Sequence, residues 1–206
     1  MYLKLKSVYR KPLRFLKTDS VRCFCLIAEA YRICYNFKNS NLINRNCRRE
    51  YNMNLTYKRA TIGDIDILVK TRIEVLRAAN KLCVDTDMSE VERQSYSYYQ
   101  KALWDGSHIA YLVFNGNCCI GTGGVSFFQV MPTYHNPSGK KAYIMNMYTN
   151  PKYRRKGIAY KTLDMLVKDS KSKGISAISL EATDMGRPLY EKYGFVKMNN
   201  EMELPE

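Results

Sequence analysis

Residues 143–159 read Tyr-Ile-Met-Asn-Met-Tyr-Thr-Asn-Pro-Lys-Tyr-Arg-Arg-Lys-Gly-Ile-Ala. Tyr143 to Tyr148 is apolar and rich in strand formers, so it reads as a strand. Thr149-Asn150-Pro151 is a turn. The hexad from Arg154 to Ala159 then opens an amphipathic stretch that runs to about Lys173. Ala159, Thr162, Leu163, Leu166 and Val167 share one face of that stretch, and Gly174 stops it. A basic, glycine-containing turn at a helix start offers unpaired backbone N–H groups and the positive end of the helix dipole. Gly157 lets the backbone approach an anion with no Cβ in the way. The turn therefore predicts a phosphate-bearing cofactor.

Working outward, Leu55 to Ala60 alternates and reads as a strand. Thr61 followed by Asp64 resembles a capping box, and apolar residues at helical spacing predict a helix over 63–79. A second helix is expected from Ser89 to Leu103, with Ser89 as its N-cap. His108 to Phe114 and Cys118 to Phe128 are strand-like and joined through Asn115-Gly116, a strong hairpin signal. Gly121, Gly123 and Gly124 lie inside the second run. No Lys-Ser/Thr follows them and no helix opens, so a bulge or close backbone approach is the better reading than a phosphate loop. A further strand over 175–182, a short helix over 186–193 and a closing strand from Phe195 to Leu204 complete the order β-α-α-β-β-β-α-β-α-β. That order predicts an α/β fold with a single mixed, mostly antiparallel sheet and helices on both faces.

The bulk composition narrows the function classes. At 206 residues there is room for one domain and an extension. Apolar content of 46% and charged content of 25% are ordinary for a globular protein. No run approaches the roughly eighteen apolar residues of a membrane span, so no membrane partner is expected. The net charge of +14 is uneven, with 12 Lys/Arg against 3 Asp/Glu in residues 1–53, or +9, and +5 in the remainder. A nucleic-acid partner is thus disfavoured for the folded part. Residues 1–53 read as a basic, poorly ordered extension rather than a transit peptide, with the domain proper at 54–206. The seven cysteines are odd in number, form no C-x-x-C pair and lie near neither His108 nor His135, which argues against a metal site. Free thiols suit a reducing, cytoplasmic setting.

One further stretch sharpens the reading. Leu189-Tyr190-Glu191-Lys192-Tyr193-Gly194-Phe195 follows the hexad with a helix and a strand between them. The two motifs in that order resemble the GNAT superfamily of acyl-CoA N-acyltransferases over residues 54–204. Its signature Q/R-x-x-G-x-G/A is met by Arg154, Gly157 and Ala159. The resemblance implies acetyl-CoA as co-substrate, with its diphosphate on the N–H groups of Arg155, Lys156, Gly157, Ile158 and Ala159. Arg154, Arg155 and Lys156 would add charge. It implies that strands 143–149 and 175–182 splay to admit the pantetheine arm. The acyl carbonyl would lie near Met147, Tyr148 and Thr149, where a backbone N–H can stabilise an oxyanion. Tyr190 matches the family's proton-donating tyrosine. Thr183, seven residues before it, replaces the family's frequent asparagine.

The resemblance leaves the base open. Asn146 stands where many relatives carry a carboxylate, and an amide takes no proton. Glu181, Glu74, His135 and a water chain remain as candidates. The acceptor is expected to be an amine, selected by helices 63–79 and 89–103 and the loop 131–140. A homodimer is compatible with the sequence. The competing reading is an acyl-CoA-binding regulatory or nucleic-acid-associated protein without turnover.

Overall fold

A computed structural model of the chain describes residues 53–199, 201, 202 and 204. The basic extension read from the sequence lies outside the described residues, apart from Met53. The elements are β1 (Leu55–Arg59), α1 (Ile65–Ala79), α2 (Ser89–Trp104), β2 (His108–Asn115), β3 (Cys118–Gln129), β4 (Lys140–Thr149), α3 (Ile158–Ser172), β5 (Ala177–Leu180) and α4 (Arg187–Tyr193). Single 3-10 turns precede α1 and α3. The strands form one sheet in the order β1-β2-β3-β4-β5. The first four are mutually antiparallel and β5 joins β4 in parallel.

Local chemistry explains most of the boundaries. Asp64 Oδ2 accepts from both the N–H and the hydroxyl of Thr61, at 2.9 Å each, and fixes the entry to α1. The hairpin turn sits on Gly116 with φ 57°, a conformation that glycine adopts freely. Ser89 is the first helical residue of α2 and not its cap; Met88 takes that place. The reason is Asp87, whose carboxylate already holds the Ser89 N–H at 2.9 Å.

Helices cover both faces of the sheet. On one face Ile109, Val125 and Ile144 pack with Leu163, Leu166 and Val167 of α3 and Tyr190 of α4. On the other, Ala110 and Leu112 pack with Leu68 and Val69 of α1 and Tyr99 of α2. Alternation along β2 supplies both cores from one strand.

The centre of the sheet is irregular where β3 meets β4. Thr122 pairs with Tyr148 and Gly124 with Met145, so Gly123 faces two residues, Asn146 and Met147. This is a β-bulge. Asn146 carries the extra residue at φ 54°, a left-handed conformation that asparagine tolerates better than most residues. A Cβ on Gly123 would lie 2.6 Å from Met147 Sδ and 2.8 Å from Thr162 Cγ2, so α3 packs directly on its backbone. The strand glycines thus mark a close approach and a bulge. The pairing of β4 with β5 runs only from Lys141↔Ala177 to Ile144↔Leu180. Residues 145–149 extend past it.

One element departs from the sequence reading. Among the described residues after α4 no strand forms where Phe195 to Leu204 was expected to close the sheet. Phe195 donates its N–H to Tyr190 O at 2.9 Å and packs on the α3 core. Val196 and Met198 beyond it are exposed. Alternation without a partner strand leaves the ladder bonds unmade.

The bulge generates a stability prediction. Gly123→Ala is expected to cost about 1–3 kcal/mol through overpacking against Thr162. Asn146→Val is expected to cost roughly 1–2 kcal/mol through left-handed strain, which Asn146→Gly avoids. Denaturant melts check both, and equal stability of the valine and glycine variants would show that the bulge is not conformationally constrained.

Candidate functional site

The turn between β4 and α3 is exposed from Arg154 to Gly157. It begins with Asn150, whose side chain accepts the Lys152 N–H at 3.1 Å and caps the short 3-10 turn. Pro151 sits at the first position of that turn, where its missing N–H costs nothing. Arg155 and Gly157 both have positive φ, at 63° and 77°. A Cβ on Gly157 would meet nothing within 4 Å, so the ground above it is open. Gly157 is the N-cap of α3 and supplies no side-chain acceptor. Among the described residues, no acceptor is found for the backbone N–H groups of Arg155 to Tyr160. Ile158 is buried, so only its backbone takes part in this surface.

Charge surrounds these donors. Lys156 Nζ lies 5.6 Å from the centroid of the Tyr153 ring, which holds the ammonium near the turn. Arg154 is more structural. Its guanidinium donates to Thr149 O at 3.1 Å and to Met185 Sδ at 3.2 Å, bracing the turn against the segment that precedes α4. A turn that is basic, open and unfilled by its own side chains can hold an anion.

The other sequence-predicted residues fall into three groups. Met147, Tyr148 and Thr149 form the end of β4 past its pairing with β5. The Met147 side chain packs toward α3, while Thr149 Oγ1 is buried with no partner among the described residues. Tyr190 is 8% exposed, stands edge-on to Phe195 and has its phenol pushed up by burial. At neutral pH it therefore keeps its proton and is a donor. Thr183 is occupied as a turn cap, with its Oγ1 and carbonyl both accepting from Gly186 N. Glu181 is exposed and accepts a hydrogen bond from the Tyr143 phenol, which burial and that carboxylate together push up to about 12.

Of the remaining base candidates, His135 is exposed in the β3–β4 loop and stacks edge-on with Tyr134. Glu74 lies on α1 near Cys119; its carboxyl is raised by desolvation, which Lys70 partly offsets. Asn146 is 6% exposed, its Nδ2 is 3.5 Å from Tyr99 Oη and its Oδ1 has no partner among the described residues. Cys83 and Cys119 are free thiols.

The sequence reading passed over a buried histidine. His108 is 2% exposed and lies among Tyr98, Tyr99 and Ser126 on the α1/α2 face. Burial, and second the charge of Arg72, lower its pKa to about 4. A histidine at the head of a strand, two residues after glycine, carries no sequence signal of its own. Only the arrival of α2 over β3 reveals it.

The acetyltransferase (GNAT) family model matches residues 76–195. The chain belongs to the GNAT acetyltransferase family. Strands β2 to β5, the β4–α3 turn and α4 fall within the matched span, and β1 precedes it. A protein from Clostridium acetobutylicum, described as a predicted acetyltransferase and solved with acetyl-CoA, is 34% identical. The match covers 73% of this chain and 96% of that one, with a TM-score of 0.68. A GCN5-related N-acetyltransferase from Ralstonia eutropha is 24% identical over 74% of this chain and 98% of its own, with a TM-score of 0.65. An aminoglycoside acetyltransferase from an uncultured soil sample, solved with sisomicin, shares the fold at 14% identity and a TM-score of 0.57, over 74% of this chain and 95% of that one. Comparison with curated protein sequences returns no match. No helix among the described residues of this GNAT protein is long and apolar enough to cross a membrane.

His108 makes the stability pH-dependent in a defined direction. Its folded pKa lies below its unfolded value, so the unfolded chain binds the extra proton. Stability is complete above the unfolded pKa of about 6.5 and falls as pH drops toward 4, by up to about 1.4 kcal/mol per pH unit. Chemical denaturation from pH 7 to 4 is expected to show this slope in the native protein and a shallower one in His108→Asn. Equal slopes would place the acid sensitivity elsewhere.

Proposed function

We propose that the protein is an acetyl-CoA-dependent N-acetyltransferase that moves an acetyl group to a primary amine. The observation that carries this reading is the set of unclaimed backbone N–H donors from Arg155 to Tyr160 at the start of α3, under open space and beside Lys156. These donors fit a diphosphate, which has several anionic oxygens and needs several convergent hydrogen bonds. The solved relative with acetyl-CoA, at 34% identity, supports the choice of cofactor.

Residue roles follow from position. Arg155, Lys156, Gly157, Ile158 and Ala159 hold the diphosphate through backbone donors, and Arg155 and Lys156 add positive charge. Arg154 keeps the turn in shape through Thr149 and Met185. The stretch Met147-Tyr148-Thr149, beyond the last β4–β5 pair, offers strand backbone to the pantetheine amides and an N–H to the acyl oxygen. Thr183 holds the turn that leads into α4 and so sets the approach of Tyr190.

The chemistry is direct attack. The amine nitrogen attacks the thioester carbonyl, forming a C–N bond and a tetrahedral intermediate whose oxyanion rests on a β4 N–H. Collapse breaks the C–S bond. The nitrogen loses a proton, and Tyr190 protonates the departing sulfur, giving an N-acetylamine and free CoA. A phenol that burial pushes up from its ordinary value must be well aligned to protonate a thiolate; Tyr190 packs on Phe195 and in the same core as Ile144. Glu181, exposed beside Tyr143, is the carboxylate assigned to take the amine's proton or to hold the water that does.

Calorimetry with acetyl-CoA and assays of thiol release test the reading. Acetyl-CoA is expected to bind, and Gly157→Val to weaken it at least tenfold by placing a branched side chain over the donors. Tyr190→Phe is expected to bind acetyl-CoA normally and to lose on the order of 10²-fold in kcat. Native binding by the valine variant would remove the assigned diphosphate site, and full turnover by the phenylalanine variant would remove the proton donor.

A further inference from the structure

The sheet face turned toward α1 and α2 carries a polar cluster outside the acetyl-transfer machinery assigned above. Ser126 on β3 lies opposite His108 on β2, and Tyr98 reaches both from α2. Tyr98 Oη is 2.5 Å from Ser126 Oγ. His108 Nδ1 is 3.1 Å from Tyr98 Oη and 3.0 Å from Ser126 Oγ, which closes a triangle. The imidazole passes over Gly124, where a Cβ would come within 2.6 Å of Nε2. Nε2 itself is buried with no partner among the described residues. Arg72 of α1 and Tyr99 of α2 are the other charged and titratable groups that face the ring.

Counting hydrogens gives the triangle a polarity. Tyr98 and Ser126 contribute one hydroxyl hydrogen each. The role of Nδ1 depends on the tautomer; with its hydrogen on Nε2, the form this inference requires, the neutral imidazole contributes none and accepts one at Nδ1. One hydroxyl hydrogen therefore lies between the two oxygens and the other goes to Nδ1. In either arrangement one oxygen keeps only lone pairs. Tyr98 is 41% exposed and Ser126 is half-buried, so this oxygen is at the surface. Anything that bonds to it must bring its own hydrogen.

The surroundings specify the kind of donor. Tyr143 of β4 is the cross-strand partner of Ser126, and its phenol donates to Glu181. An acceptor-only oxygen thus shares a face with a carboxylate, a combination that suits a primary ammonium group. The position along the strand also fits. Ser126 Oγ contacts Met145 Sδ at 3.7 Å, and Met145 is the first β4 residue past the last pair with β5. The corner therefore borders the point where β4 leaves β5.

We infer that Tyr98, Ser126 and His108 form the docking corner for the acceptor's amino group. His108 is a positioning residue, which converts a pair of hydroxyls into a hydrogen-bond acceptor. The inference rests on the acetyl-transfer reading above and adds the residues that receive the acceptor's ammonium. The corner binds and orients the group; the ammonium gives one proton to solvent water before attack, and the second, lost after the C–N bond forms, goes to Glu181 or its water as assigned above.

The test uses the full chain and its Tyr98→Phe, Ser126→Ala, His108→Asn and His108→Leu variants. Acetyl-CoA binding is read by calorimetry. Thiol release is followed with benzylamine, phenethylamine, spermidine and glycine ethyl ester. The imidazole tautomer is read from nitrogen-15 correlation spectra at pH 7. Acetyl-CoA binding is expected to stay native in all variants. KM for the accepted amine is expected to rise on the order of tenfold in Tyr98→Phe and Ser126→Ala, with kcat changing less. His108→Asn, whose amide oxygen still accepts, is expected to retain more amine affinity than His108→Leu. The His108 ring is expected to show an unprotonated Nδ1. An unchanged amine KM in both hydroxyl variants overturns the inference, as does a protonated Nδ1. So does a protein that binds acetyl-CoA and acetylates none of the four amines. Failure of the native protein to bind acetyl-CoA removes the functional reading, and this inference with it.

Discussion

Six successive backbone N–H groups, from Arg155 to Tyr160, emerge at one end of α3 with no acceptor among the described residues. Their number exceeds what a helix start alone leaves over, because the preceding residues curl into the same surface. Positive φ at Arg155 and Gly157 makes that curl. The arrangement is costly for a chain with nothing to bind, since donors left to water give no net gain and the left-handed φ of Arg155 opposes ordinary sterics, a cost that Gly157 avoids. It is profitable next to a multiply charged anion. The sheet, the two helix layers and α4 can be understood as the frame that holds this turn in place beside the end of β4.

The bulge at Gly123 does the second part of that work. Inserting Asn146 opposite a single glycine shifts the side-chain phase of β4. Before it, Met145 meets Ser126 on the α1/α2 face; after it, Met147 packs toward α3. The same irregularity falls just past the last pair that β4 makes with β5. One strand thus presents its backbone at an opening, keeps apolar packing on one side and leaves polar groups on the other. In the reading proposed above, the cofactor's thioester arm and the acceptor meet at that opening, the acceptor entering from the α1/α2 face.

Much of this was legible in the sequence because the informative residues act locally. Gly157 and the basic turn, Asn115-Gly116, the Thr61/Asp64 pair and the helical periodicity of 65–79 each dictate structure through neighbours in the chain. The strand glycines also read correctly, as a close approach and not a phosphate loop. What failed or was missed depends on distant partners. The alternation at Phe195 to Leu204 predicts a strand only if an edge is available, and among the described residues none forms there. The Ser89 cap lost to Asp87, two residues away, where two polar residues compete for one role. His108, Tyr98 and Ser126 are spread over three elements, and no spacing rule joins them. The absence of a carboxylate at Asn146 was visible, but not that Tyr143 would bring Glu181 to the neighbouring face.

The central claim concerns particular amide hydrogens, so it is best tested on them. Backbone amide spectra of the labelled protein can be recorded with CoA and, separately, with S-acetyl-N-acetylcysteamine, which carries the thioester arm without the diphosphate. The account predicts large downfield proton shifts at Arg155 to Tyr160 with CoA and little change there with the truncated thioester. Unmoved amides in that turn at saturating CoA would contradict it.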